Sequence, residues 1–281
     1  MIKAALITGA SSGFGLLTSI TLAKRGWHVL ATMRDMGRRE RLESAARSAG
    51  VLELIEVHAL DVTDAEQMAG IAQLIGRREE PLHALVNNAG FAVPGFAEEV
   101  TDGELREQFE TNFFGATGLT RAILPQMRRQ GFGHVVMVSS ISGRTGFPGV
   151  SSYVASKFAL EGWTETLRYE MATLGIKVSI VEPGSFATDI WTRNAKLTAK
   201  MTDAASPNAA RRARWQSRIE ASAKDRANPQ EVADLIARIL ETPEPKLRYV
   251  IGRDARMALL MRKMLPAGVF ERLMVKLSGL D

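Results

Sequence analysis

There is no cysteine among the 281 residues, which rules out a disulfide framework, a thiolate metal site and a cysteine nucleophile. Histidine is scarce as well. His28, His58, His83 and His134 are scattered, with no spacing that suggests ligands of one metal, so no metal site is expected. No uninterrupted apolar run reaches the length of a membrane-spanning helix, and no repeat at solenoid periods is present. A large charge excess is also missing. The net charge of +5 and the pI near 9.6 fit an anionic cofactor as readily as nucleic acid. No nucleic-acid motif accompanies them, so no nucleic-acid partner is expected. The first strand is expected from Ile2, which leaves no secretory signal and points to the cytoplasm.

What is present is the composition of a globular protein and a regular alternation of short apolar runs with helix-patterned segments. Residues 2–8 (IKAALIT) read as a strand that ends at the glycine-rich turn 9–15, and a helix pattern follows as far as Gly26. Further strands are expected at 27–33, 52–60, 83–86, 135–139, 176–181 and 248–251. Strands alternating with helices predict an α/β fold, a single Rossmann-type doubly wound parallel sheet with helices on both faces. No linker divides the chain, so residues 1–281 are expected to form one domain.

Two stretches depart from that rhythm. Residues 190–228 are rich in Ala, Arg, Lys, Ser and Thr and carry no strand pattern. An excursion of this length in a compact domain is a helical substrate lid or a surface insertion. Residues 253–281 form a C-terminal amphipathic extension. Met257, Leu260, Met261 and Met264 recur at helical spacing, and so do Phe270, Leu273, Met274 and Leu277 after a break at Pro266. These apolar faces could pack as ordinary core, cover a hydrophobic pocket, or lie on an anionic membrane surface, in that order of expectation, since helices this short bind a membrane weakly.

Gly9, Gly13 and Gly15 are spaced G-x-x-x-G-x-G between the first strand and its helix. Glycines there let a backbone approach a pyrophosphate closely, and a helix N-terminus presents N–H groups to it. A P-loop is excluded because no Lys-Ser/Thr pair follows. At the end of the second strand, an acidic residue would bind the adenosine ribose and repel a 2′-phosphate, but the chain reads Thr32-Met33-Arg34. Arg34 can fork onto a phosphate, with Arg38 and Arg39 adding to the field and Asp35 pointing elsewhere, so NADP(H) is expected over NAD(H).

Tyr153 and Lys157 lie four residues apart in a helix pattern, which puts phenol and ammonium on one face. A tyrosine normally titrates near ~10, and a fixed positive charge beside it favours the phenolate.

Taken together, these residues resemble the short-chain dehydrogenase/reductase family over about residues 1–190. TGASSGFG at 8–15 resembles its cofactor turn, with Ser11, Ser12 and Phe14 beside the three glycines. Asp61-Val62 resembles the adenine-contacting pair, and Asn87-Asn88-Ala89-Gly90 the segment beside the cofactor. Asn112, Ser140, Tyr153 and Lys157 match the catalytic tetrad, and the thirteen-residue gap selects Ser140 over Ser139. Pro183, Gly184 and Thr188 match the loop that holds the nicotinamide. The segments ATMRD and VEPGSFATDI look closest to the branch with hydroxysteroid and retinol dehydrogenases.

The resemblance implies hydride exchange between a nicotinamide and a carbonyl or secondary alcohol of a hydrophobic small molecule. Tyr153 is implied as general acid/base, Ser140 as hydrogen-bond donor to the substrate oxygen, and Lys157 as the group that lowers the tyrosine and holds the ribose. Asn112 is implied to shape its helix for a relay water. The family also suggests a homodimer or homotetramer. The competing class is a non-catalytic dinucleotide-binding regulatory or scaffold protein of the same fold.

Overall fold

The apolar runs rich in valine, isoleucine, leucine and alanine are strands whose two faces are both covered, as a parallel sheet with crossover helices requires. The computed structural model describes residues 2–203, 205–222 and 226–280. Among the described residues seven strands run parallel in one sheet. They are β1 (Ala4–Thr8), β2 (His28–Met33), β3 (Ile55–Ala59), β4 (Leu82–Asn87), β5 (Gly133–Val138), β6 (Ile176–Pro183) and β7 (Arg248–Ile251). Their order is β3-β2-β1-β4-β5-β6-β7. The order reverses between β1 and β4, and a doubly wound sheet opens a crevice at that switch, at the carboxyl ends of its strands.

Alternation along β1 divides the core into two layers. Ala5 and Ile7 join Leu16 and Leu22 of α1 (Gly13–Lys24), Leu42 of α2 (Arg39–Ser48) and Ile236 of α8 (Gln230–Glu241). Ala4 and Leu6 face Ile71 of α3 (Ala65–Gly76), Ile123 of α5 (Ala116–Gln130) and Leu160 of α6 (Ser151–Met171). The expected two-faced α/β sheet is the one observed. All strands but the last differ from expectation at one or both ends, mostly by one or two residues. The first strand starts at Ala4 rather than Ile2, residues 52–54 form a 3-10 turn ahead of β3, and the sixth strand runs on to Pro183.

Helix α4 (Asp102–Phe109) starts at a capping box, Thr101 with Glu104. It leads through a π-helical turn, Glu110–Gly115, into α5. The stretch 190–228 contains α7 (Ala209–Ser222) and a 3-10 turn at Ala199–Thr202, while Ala204 and residues 223–225 lie outside the described residues. Beyond β7 the chain forms α9 (Arg253–Met264) and α10 (Ala267–Leu277), parted at Pro266 as the pattern predicts, and Asp281 lies outside the described residues.

Candidate active site

Every element that ends at the switch crevice delivers one part of the site. After β1, the turn is pressed onto the segment that follows β4. A Cβ on Gly15 would lie 2.4 Å from the Gly9 carbonyl oxygen and 2.5 Å from Asn88 Nδ2, so only glycine fits. Asn88 Nδ2 donates to the carbonyl of Thr8 at 2.8 Å, and Thr8 Oγ1 accepts from the backbone N–H of Asn88 and of Ala89. Ser12 occupies the N-cap of α1 without capping through its side chain. Its hydroxyl instead accepts from Asn194 Nδ2 at 3.3 Å.

At the end of β2, Met33 is buried and Arg34 is exposed on the crevice wall. Asp35 is drawn aside. Its Oδ1 accepts from the backbone N–H of Gly37 at 2.9 Å, and Oδ2 pairs with Arg38. Arg38 lines the crevice, whereas Arg39 pairs with Glu43 and stays off it, so the expected added field comes from one arginine and not two. Asp61 turns its Oδ1 onto the backbone N–H and hydroxyl of Thr63, which leaves the Asp61-Val62 edge along the crevice.

The crevice has a volume of about 760 Å³. Gly9, Ser11, Ser12, Gly13, Phe14, Arg34, Asp61, Val62, Asn88, Ala89, Gly90, Ser140, Tyr153, Lys157, Pro183, Gly184 and Thr188 all line it. Gly15 lies beneath the turn, and Asn112 stands behind the wall. Its Oδ1 accepts from the N–H of Phe91 at 3.1 Å, and its Nδ2 donates to the Phe91 carbonyl at 3.0 Å and to Ser156 Oγ at 3.3 Å. Asn112 thereby ties the π-helical turn both to the segment after β4 and to α6.

Tyr153, Lys157 and Glu161 follow each other at successive turns of α6, and all three are buried. Ser140 hydrogen-bonds the Tyr153 hydroxyl, and its Oγ accepts from the N–H of Ser142. Burial pushes the Tyr153 phenol up to about 12, opposed by the Ser140 hydrogen bond. Burial likewise pushes the Lys157 ammonium down to about 8, opposed by Glu161. Lys157 Nζ lies 5.7 Å from the centre of the Tyr153 ring and donates to the Val138 carbonyl at 2.8 Å. The family pattern implies that the lysine lowers the tyrosine; in this structure burial is the first cause of the Tyr153 shift and acts upward. Desolvation disfavours the charged form of both groups.

Behind Lys157 sits a charge cluster of two buried glutamates and two half-buried arginines. Arg248 Nε lies 3.1 Å from Glu161 Oε2 and 3.2 Å from Glu182 Oε1, and Arg144 holds Glu182 from the other side at 2.9 Å. Burial, followed by the neighbouring Glu182, raises Glu161 to about 7 against the pull of Arg248.

Several lining residues were invisible to motif reasoning. Trp191 meets the Tyr153 ring edge-on with centroids 5.5 Å apart. Trp215 of α7 joins Tyr153, Val150, Ala92 and Met201 in a third apolar cluster above the sheet. Asp254 accepts from the N–H of Ser185 at 2.7 Å and crowds Gly184, where a Cβ would fall 2.2 Å from Asp254 Oδ1. Trp191 and Trp215 stand in a polar, alanine-rich stretch with no periodic pattern, so nothing local marked them as inward-facing.

Comparison with known proteins agrees with this geometry. The family model described as short chain dehydrogenase matches residues 3–198. An uncharacterized oxidoreductase of Bacillus subtilis, YusZ, is 40% identical over 277 residues, covering 98% of each chain. Human retinol dehydrogenase 8 is 37% identical over 256 residues, covering 88% of this chain and 80% of its own. The crystal structure of a short-chain dehydrogenase from Streptomyces avermitilis is 35% identical, with a TM-score of 0.80 over 98% of this chain and 96% of that one.

Proposed function

The chain belongs to the short-chain dehydrogenase family, and from that premise we propose that it is an NADP(H)-dependent oxidoreductase of apolar carbonyl and secondary alcohol substrates. It is an enzyme of the oxidoreductase class, and its cofactor is a nicotinamide dinucleotide. The observation that carries the reading is the buried Tyr153–Ser140 pair at the floor of a crevice whose other end is the glycine turn.

The residues fit a dinucleotide. The Gly9/Gly15 cradle admits no Cβ, which suits close backbone approach of a pyrophosphate, and the N-terminus of α1 is not capped by Ser12. Arg34 pairs with no carboxylate among the described residues and would meet a 2′-phosphate, because Asp35 is held by Gly37 and Arg38. Bound there, the cofactor supplies hydride exchange with a carbonyl or alcohol carbon.

The protein's own part is proton management and positioning. Ser140 donates to the substrate oxygen, a bond that strengthens as negative charge develops in reduction. Tyr153 gives its proton to that oxygen, and in the reverse direction its phenolate takes one. With the phenol pushed up to about 12, Tyr153 is protonated in the ground state, and the positive charge of Lys157 is what would steady the phenolate as it forms.

The same reading takes residues 190–228 as a substrate-binding lid. Arg212 of α7 is buried against Glu99 at 2.9 Å and also donates to the carbonyls of Lys200 and Asp203, so a buried ion pair anchors the segment. Trp191, Trp215, Ile190 and Phe147 make the substrate end of the crevice apolar, and the retinol dehydrogenase among its relatives supports a bulky hydrophobic substrate.

The test is NADPH oxidation against aldehydes, ketosteroids, retinoids and long-chain 3-keto compounds, with Tyr153→Phe alongside. Losing the proton donor is expected to lower kcat by roughly 10²–10⁴-fold, while NADPH binding by fluorescence persists. Near-normal turnover by Tyr153→Phe refutes the assignment.

A further inference from the structure

The C-terminal helices were expected first to be core, and the structure covers them only in part: Met261, Phe270, Leu273 and Met274 are half-buried, while other apolar side chains stay exposed. In α9, Met257, Leu260 and Met264 share one face and stay 46%, 54% and 69% exposed. In α10, Val269, Val275 and Leu277 are exposed, Leu277 at 55%, and no residue of that helix is buried. Only Ala255 of α9 is buried. The exposed apolar face of α9, continued on α10 by Leu277, implies a partner.

Charge says which partner. Residues 193–281 hold 18 of the 36 Lys and Arg but 10 of the 31 Asp and Glu, a net +8, whereas residues 1–192 are net −3. On α9 and α10 themselves stand Arg253, Arg256, Arg262, Lys263, Arg272 and Lys276 against Asp254 and Glu271, and Asp254 is committed to the N–H of Ser185. None of the six cations is ion-paired among the described residues. A two-fold contact between copies through this face would bring two such cationic surfaces together, which costs rather than stabilises. An apolar face rimmed by cations matches an anionic lipid surface, where acyl chains take the Met and Leu side chains and headgroups take the Arg and Lys.

We propose that α9 and α10 seat the protein on an anionic lipid bilayer. The seat is continuous with the crevice. Arg214 Nε of α7 donates to the Gly279 carbonyl just past α10, and Leu280 packs against the cluster that contains Tyr153 and Trp215. A bilayer under α10 therefore lies beside the apolar end of the crevice, and lipid-dissolved molecules reach it without crossing water.

The test is co-sedimentation of the full chain with vesicles of phosphatidylglycerol and phosphatidylcholine, and with phosphatidylcholine alone, at about 0.1 M salt, where the Debye length is ~10 Å. Binding to the anionic vesicles is expected to exceed binding to the neutral ones by at least about tenfold and to fall as salt is raised. The variants are Leu260→Glu with Leu277→Glu, and separately Arg262→Glu with Lys263→Glu. Each pair is expected to abolish sedimentation while leaving the thermal transition unchanged. Equal binding to both vesicle types, no binding to either, or binding untouched by the charge reversal overturns the proposal. So does an oligomer, seen by light scattering, that Leu260→Glu with Leu277→Glu dissociates in the absence of vesicle binding, because the face is then a seam between copies. Vesicle binding needs no turnover, so its failure is separable from any failure of the oxidoreductase reading.

Discussion

The indole N–H of Trp215 donates to the carbonyl of Pro148 at 3.1 Å, and the ring lies flush on Gly149. A Cβ at Gly149 would come 2.6 Å from the indole, at a backbone φ of +77° that only glycine adopts freely. The contact joins α7 to the loop that opens α6. Trp215→Ala is expected to leave NADPH binding intact and to lower kcat/KM for bulky apolar carbonyls relative to small ones by about tenfold or more, the scale of one lost apolar pocket wall. An unchanged ratio between bulky and small substrates shows that the segment is not a lid.

The Lys157 ammonium, held down to about 8 by burial, titrates within reach of ordinary assays. Its positive charge is complete below that value and is lost as pH rises through it. The profile of kcat/KM for carbonyl reduction, which reports the free enzyme, is expected to fall on the alkaline side near pH 8. A flat profile to pH 10 places the charge-bearing group elsewhere.

Arg34 and Met33 set the cofactor choice in the proposed reading. Loss of a charge-assisted contact to phosphate costs about 1.5–3 kcal/mol. Arg34→Ala is therefore expected to weaken NADPH by roughly tenfold or more and to leave NADH nearly unchanged. Titration of both nucleotides by fluorescence decides it, and equal losses remove Arg34 from the 2′-phosphate.

His134 links the fold to pH. Ser179 Oγ gives its proton to the Lys246 carbonyl at 3.0 Å, so the His134 Nε2 that lies 3.0 Å from that oxygen is the donor. Burial, with Lys177 and Arg168 adding repulsion, pushes the imidazole down to about 3. A base lowered on folding contributes stability above its unfolded value near ~6.5 that drains away as pH falls toward the folded one. Denaturant unfolding between pH 7 and pH 4 is expected to show a shallower loss of stability for His134→Gln, which cannot charge. Parallel pH dependences for the two proteins exclude His134 as the source.

The sequence by itself determined the sheet, the glycine turn and which motif side chains stand along the crevice. Those features are local or periodic: apolar runs of strand length, glycines where no Cβ fits, and a tyrosine and a lysine one helical turn apart. Tertiary structure alone decided what environment those groups share. The direction of the Tyr153 shift depends on burial contributed by Trp191 and by residues remote in the chain, and the sequence pattern predicted the opposite. The pairing of Arg248 with Glu161 and Glu182 spans β7, α6 and β6, and the seat of Trp215 on Gly149 spans 66 positions. The periodicity of α9 and α10 fixed their helical form and their apolar faces, but a pattern records only that a face is apolar. Whether it is covered depends on which neighbours the folded chain brings to it, and here the fold brings none among the described residues to the side chains of Leu260, Met264 and Leu277 that would bury them.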